Sequence, residues 1–235
     1  MADLVAILSN AANSLGAQRA LSSTAAHNLE NVNTPGYSRQ RAHVVATLPA
    51  ETVGGIHIGR GSQLAGVTQA RDGFVELQVP RVLGESARST AESEALGAVH
   101  ALDPDRAGSL DGAIGAFYAS LQTLSQNPGD AGLRATALGS ARTLAMAFNR
   151  TSSELAAQRS GLDARLAGHA DEVNAAARAV ADANAAIGRA SSAGGAPNDL
   201  LDLRQRSVDR LAELTGATPV PQGDGAVSLV LPGGG

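Results

Sequence analysis

The stretch Asn33-Thr34-Pro35-Gly36-Tyr37-Ser38-Arg39-Gln40 closes one kind of structure and opens another. Pro35 has no N–H with which to continue a helix, and it pushes Thr34 out of the α region. Pro-Gly at the two central positions of a turn favours type II, with Gly36 at positive φ. Upstream, Leu8, Leu15, Ser22 and Leu29 recur every seven residues, and Leu4, Ala11, Gln18, Ala25 and Val32 do the same, offset by three or four. The two rows make the a/d seam of one long helix that needs a partner helix from this chain or another. Leu4 to Val32 would span roughly 42 Å at ~1.5 Å rise per residue. Ser22, Gln18 and two alanines weaken the seam, which suits a helix that pairs late, after transport or assembly. An ordinary amphipathic core helix is the plainer alternative.

Beyond Tyr37 the period changes to two. Ala42, Val44, Ala46 and Leu48 alternate with Arg41, His43, Val45 and Thr47, as in a strand. Residues 49–55 read as a loop, Gly59-Arg60-Gly61 as a turn, and Leu64 to Gln69 as a second strand. Helix returns after Arg71, with Asp72 as N-cap and Pro80 expected to kink the helix or delay its start. Asp103-Pro104-Asp105 breaks it near His100. Leu110 to Leu124 forms a short helix with Ile114, Phe117, Leu121 and Leu124 on one face. A very long helix then runs from about Ala131 to Arg189. Its seam passes through Leu144, Phe148, Thr151, Leu155, Gln158 and Leu162, stutters, and resumes at Leu166, His169, Val173, Ala176, Val180, Ala183 and Ile187. The helix before His100 and a last helix, capped by Asn198 and closed by Gly216, are expected to cover that seam, with Leu162 and Val173 buried. Val227 to Leu231 alternates as a strand would.

The expected fold class is mainly α: a long helical bundle or coiled-coil rod with a small β-rich linker after the first helix. The expected divisions are 1–36 for the N-terminal helix, 37–70 for the linker, 71–216 for the helical bundle and 217–235 for the start of a β region.

Composition narrows the chemistry. All 18 basic residues are arginine, the net charge is −4, and cysteine is absent. There is no basic field for nucleic acid, no lysine for Schiff-base or phosphate-loop chemistry, and no thiolate. Alanine supplies roughly a fifth of the chain, far above ordinary usage, so much of the apolar content is methyl groups. Such a core favours long helices side by side. No run approaches the ~18 apolar residues of a membrane span. The first residues lack the basic and continuous apolar regions of a secretory signal.

Candidate sites are few. His43 and His57 are able to approach each other across the linker, but no Asp or Cys stands at a ligand spacing beside them, so strand histidines on the surface are the better reading. His169 reads as a polar seam residue, Gly59-x-Gly61 as a turn, and Asp103 and Asp105 as a helix break. Arg204, Arg206 and Arg210 interleave with Asp202, Asp209 and Glu213 as a solvated or interfacial salt-bridge face. No catalytic residue, metal site or cofactor is expected. An apolipoprotein-like helical protein at a membrane surface is disfavoured by the lack of lysine, tryptophan and a basic strip. An enzyme is disfavoured by the lack of any catalytic constellation.

Three stretches together resemble a known family. The first helix followed by Asn31-x-x-Thr34-Pro35-Gly36-Tyr37 and Ser38-Arg39-Gln40 is similar to the axial proteins of the bacterial flagellum. Leu121-Gln122-Thr123-Leu124-Ser125-Gln126-Asn127-Pro128 and Pro197-Asn198-Asp199-Leu200-Leu201-Asp202-x-Arg204 resemble, more narrowly, the hook-associated protein 1 family. The last motif is the most specific, and the resemblance is collinear over the whole chain. Pro80 departs from the family pattern. The family also continues beyond this point to a C-terminal helix that packs on the first one, and that helix is not in this sequence.

The resemblance implies a non-enzymatic structural component that joins hook to filament and is needed for filament assembly. Another axial protein, of hook or rod type, is the alternative. It implies self-association in a ring, contact with the hook protein and with the second hook-filament junction protein, and passage through the flagellar export machinery with a chaperone. It places the protein outside the cell, secreted without a cleaved signal peptide, with no nucleic acid or membrane partner. The residues expected to serve assembly are Leu4, Leu8, Leu15 and Leu29 on the seam, Pro35, Gly36 and Tyr37 in the turn, and Asn198, Leu200, Leu201, Asp202 and Arg204 in the last helix.

Overall fold

The structure is a computed structural model, and it describes residues 2–47, 52–53, 56–57, 61–98, 103–106 and 108–233. Among them the helices are α1 (Ala2–Glu30), α2 (Gly73–Ala98), α3 (Leu110–Gln126), α4 (Ala131–Ser192) and α5 (Asn198–Thr215). The strands are β1 (Gln40–Ala46), β2 (Thr52–Val53), β3 (Ile56–His57), β4 (Ser62–Gln69), β5 (Thr218–Pro221) and β6 (Val227–Val230). Helices hold about 70% of the described residues, so the mainly α expectation is met. Within the expected loop over 49–55, Thr52–Val53 is instead a strand paired with Ile56–His57; the rest of that loop, most of the turn at Gly59–Gly61 and any approach of the His57 side chain to His43 lie outside the described residues.

The chain divides into two compact units. One comprises Met1–Glu85 with Val173–Gly235, the other Ser86–Glu172. In the first, α1 ends at Glu30 and the chain reverses at Pro35-Gly36. Tyr37 N–H donates to Thr34 O at 3.1 Å, and Gly36 has φ 72°, as a type II turn requires. β1 and β4 then pair antiparallel from Gln40↔Gln69 to Ala46↔Ser62, with a bulge at His43/Val44. This ribbon lies on α1. The face of α1 that it covers is small and polar: Ala17 is only 2% exposed, and Asn10, Ser14, Ala20 and Thr24 are half-buried. The approach is tightest at Gly61, where φ is 84° and a Cβ would stand 2.6 Å from Ser14 Oγ. The leucines of the seam point the other way, with Leu8 70% and Leu29 74% exposed.

The core of this unit forms where α4 meets α5. Val180, Ala183 and Ile187 are buried on α4, and Val208, Leu211 and Ala212 on α5, with Val173, Ala176, Val227 and Leu229 packed around them. The middle of α2 closes on the end of α5: a Cβ on Gly84 would meet Ala212 O at 2.8 Å. Asp72 Oδ1 caps α2 by accepting from Phe74 N at 2.9 Å. Of the two effects expected of Pro80, a delayed start does not occur: α2 begins at Gly73, and Pro80 is fully buried inside the helix. Gly216, at φ 71°, ends α5 as expected, and the β5–β6 hairpin follows.

In the second unit, α3 starts at Ser109, whose Oγ accepts from Gly112 N at 3.1 Å. The first half of α4 packs on α3 through Ala113, Ala137, Ala147 and Thr151, all buried, and through a 2.6 Å bond between Ser120 and Ser140 hydroxyls. Here the expected seam needs correction. This half of α4 bonds to α3 through Ser120 and Ser140 and pairs with α2 through Arg165 and Glu94, and the residues it buries are small. Phe148, Leu155, Leu162, Leu166 and His169 are exposed, Leu162 by 48%. The reason is length and phase. α3 spans ~25 Å at 1.5 Å per residue and cannot follow α4 past its first turns, while the stutter at Leu162–Leu166 rotates the apolar stripe. All of residues 159–172 are exposed. Val173, expected to be buried, is half-buried against the core of the first unit.

Candidate functional site

The two most distinctive stretches of the sequence meet in space. The turn after α1 and the ribbon that follows it dock on α5 through side chains that bond both to backbone and to one another.

Asp202 is the centre. It lies on the buried face of α5 and is 2% exposed. Its Oδ2 accepts from Ser38 N at 3.1 Å. Its Oδ1 accepts from Gln69 Nε2 at 2.9 Å and from the Arg71 guanidinium. Arg71 also donates to Ser38 Oγ at 2.8 Å and pairs with Glu76. The buried carboxylate thus has a cation and two neutral donors, the condition under which burial of a charge is tolerated. Of the two expectations for the charged face of α5, solvated or interfacial, Asp202 fits the interfacial one, with partners at Ser38 before β1 and at Gln69 and Arg71 in and after β4.

Asn198 was expected to cap α5. The cap position is Pro197, without a side-chain bond, and the Asn198 amide turns instead to the ribbon. Its Nδ2 donates to Val67 O at 3.1 Å, and its own carbonyl accepts from Gln69 Nε2 at 2.7 Å. β4 offers unpaired backbone groups there, and the amide satisfies one of them. Asp199 accepts from Gln40 Nε2 at 2.9 Å.

Gly36 sits under α5. A Cβ at that position would stand 2.5 Å from Arg206 Cγ, and Arg206 Nη1 donates to Pro35 O at 3.3 Å. The glycine is therefore required twice, by its positive φ and by the side chain above it. Tyr37 is half-buried, and its hydroxyl donates to Asn28 Oδ1 at 2.8 Å. Burial, then the charges of Asp199 and Asp202, hold the Tyr37 phenol above its usual range, so it remains a donor.

Two asparagines escaped the sequence reading. Asn28 donates to Gln40 O and accepts from Gln40 N, both at 2.8 Å. Asn184, on α4, treats Val227 the same way, at 3.0 and 3.1 Å. Each helix thus offers one side chain as a surrogate neighbouring strand. Arg204 completes the second clasp, donating to Asn184 Oδ1 at 3.0 Å and Gly225 O at 2.7 Å. Burial and then Arg71 lower the Arg204 pKa from its ordinary value. Leu200 and Leu201 are half-buried, Leu200 facing α4 near Ala183 and Leu201 beside Leu77 and Val227. Leu4, Leu8, Leu15 and Leu29 take no part in this network and face outward on α1.

Among the described residues no three His, Asp or Glu side chains converge as metal ligands do, and no helix is long and apolar enough to cross a membrane. Both Asp202 oxygens and the Arg71 guanidinium are spent on internal bonds. The arrangement fastens a helix and ribbon to the body of a mainly helical protein.

The comparisons carry this further. The family model described as the flagellar hook-associated protein FlgK helical domain matches residues 96–235. Flagellar hook-associated protein 1 of Salmonella typhimurium is 30% identical over 97% of this chain and 41% of its own length. The Escherichia coli protein of that name is 28% identical over 97% of the chain and 42% of itself, and the Bacillus subtilis one 30% identical over 94% and 47%. A solved structure, that of the flagellar hook junction protein FlgK from Burkholderia pseudomallei, aligns with 68% of this chain and 27% of its own at 27% identity and a TM-score of 0.49. The chain belongs to the flagellar hook-associated protein FlgK family. It spans less than half the length of the curated relatives it matches. Membership sets aside the hook- or rod-type alternative.

Proposed function

We propose that this chain is the segment of a flagellar junction protein that joins the hook to the filament, a structural role without catalysis. The observation that carries the reading, beside family membership, is the outward seam of α1. The helix is held to its own body by a polar and small-residue face, and Leu4, Leu8, Leu15 and Leu29 are left for other helices. Burying such a leucine contributes about 1.5–3 kcal/mol, so a few of them supply a usable joint. The turn at Pro35, Gly36 and Tyr37 and the Asn198–Arg204 network set the direction in which that seam is presented. Leu200, Leu201 and Asp202 keep the network anchored to the core.

The partners that fit are copies of the chain itself in a ring, the hook protein on one side and the second hook-filament junction protein on the other. The export machinery and a chaperone would handle the chain on its way out, and its place of work is the extracellular junction. The test is genetic. Cells lacking the protein should keep intact hooks while filament subunits leak into the medium, and a Leu8→Asp/Leu15→Asp version should be exported yet fail to restore filaments. Normal filaments in the deletion strain would overturn the assignment.

A further inference from the structure

We propose that the outer edge of β1 is a docking site for an extended segment of a partner protein with acidic residues at alternate positions. The phase of the ladder sets which backbone groups face outward. Ala70 N–H donates to Arg39 O at 2.8 Å and Thr47 N–H to Gly61 O at 3.0 Å, so by alternation Arg41, His43 and Val45 bond to β4. The residues between them face away, as Gln40 does in giving both its backbone groups to Asn28. The bulge leaves Ala65 of β4 unopposed and does not interrupt the alternation on β1. Ala42, Val44 and Ala46 therefore each present an N–H and a C=O outward, and among the described residues nothing bonds to them.

Elsewhere the fold blunts its strand edges. On β4, Asn198 bonds Val67 O, and the Ser14 hydroxyl accepts from Ser62 N at 3.3 Å. On β6, Asn184 bonds both backbone groups of Val227. Gln222 N–H donates to Ala226 O, so on β5 Pro219 and Pro221 fall where an N–H would point outward. An edge left open is a template for another strand, and a third strand would strengthen a two-stranded ribbon. The side chains along β1 say which strand fits. Arg39, Arg41 and Val45 are exposed on the opposite face from half-buried Ala42 and Val44. Among the described residues neither arginine pairs with a carboxylate, while His43 is bonded to Thr68 Oγ1 at 2.7 Å. A second copy of β1 would bring its own arginines to this basic row, and like charges across strands are unfavourable. A strand with Asp or Glu beside the arginines and an apolar residue beside Val45 matches it.

Hydrogen exchange on the 235-residue chain tests this. The probe is the peptide acetyl-Thr-Val-Thr-Glu-Thr-Glu-Thr-amide. In antiparallel register its valine lies beside Val45 and its glutamates beside His43 and Arg41. At millimolar peptide, exchange of the Ala42, Val44 and Ala46 amides should slow about fivefold while the buried Leu211 amide is unchanged. The same peptide with lysine in place of glutamate should leave the rates as they were. Val44→Pro removes only an outward donor and should abolish the slowing. Arg41→Glu should transfer it to the lysine peptide, and it decides if Val44→Pro loses Leu211 protection. No slowing in the parent chain, or equal slowing by both peptides, overturns the proposal. So does slowing that grows with chain concentration before any peptide is added, which would place a second copy on the edge.

Discussion

Asp202 shows how much one residue can organise. It is a carboxylate inside a helix-packing face, matched by Arg71 and bonded to a backbone N–H of a segment 164 residues away in sequence. Removing one partner of a buried pair leaves the other uncompensated, so Asp202→Ala should cost about 3–5 kcal/mol. Urea unfolding followed by circular dichroism measures it, and a loss below ~1 kcal/mol would mean that Arg71 finds an equal partner elsewhere. Asp209 behaves in the opposite way. It is half-buried, and burial raises its pKa, with Gln205 and Arg71 only partly offsetting that. A raised carboxyl pKa means the folded chain holds a proton that the unfolded chain releases. Its contribution to stability is therefore present below the ordinary aspartate range and is lost as pH rises through the folded value. Asp209→Asn keeps an acceptor for Gln205 and should match the parent near pH 3, then become the more stable chain by pH 7. A gap that shrinks with rising pH would contradict this sign. Asp202 and Gly36 are both visible in the sequence as motif members. Their partners are not, because spacing within a motif says nothing about a segment far along the chain. Asn28 and Asn184 gave no signal at all: an asparagine inside a helix reads as mildly unfavourable until the strand beside it is known.

At the level of elements, local punctuation was readable and facing was not. Pro35-Gly36, Asp72 and Gly216 begin or end elements close to where backbone chemistry says they should. The seams of α1 and α4 were legible as periods, yet a period does not say which face is covered. On α1 the ribbon takes the small face because a strand pair needs close approach, which Ala17 and Ser14 permit and leucines would not. Leu15→Ala should therefore cost less than ~1 kcal/mol in the separate chain, as surface changes do. Ala17→Leu should cost about 1–3 kcal/mol by overpacking. Thermal or urea midpoints decide, and reversed magnitudes would mean the seam has a partner within the chain. Leu162→Ala should also fall below ~1 kcal/mol, not in the 2–5 kcal/mol range of a core leucine.

For the whole molecule, the two units differ in what fills them. Ser86–Glu172 is stitched by Ala113, Ala137 and Ala147, whereas the other unit buries Val180, Ile187, Val208 and Leu211. Methyl groups remove little area from water, so the first should open at lower free energy. Native-state exchange in increasing urea should show amides near Ala137 and Ala147 exchanging before those at Val208 and Leu211. A single merged isotherm would show that they open together. The fastening of α1 and the ribbon to α5 joins two of the three recognisable stretches, and composition gave no hint of it.

Gly36 lies beneath Arg206, 170 positions later, with no room between them for even a methyl group. The two stretches are thus a single inherited unit written in two places. A lineage that altered the loop would have to revise the helix in the same step or through a tolerant intermediate. Gene chimaeras made between relatives should obey the same grammar: those that take both stretches from one parent should fold, and those whose crossover falls between them should carry a mismatch at their centre.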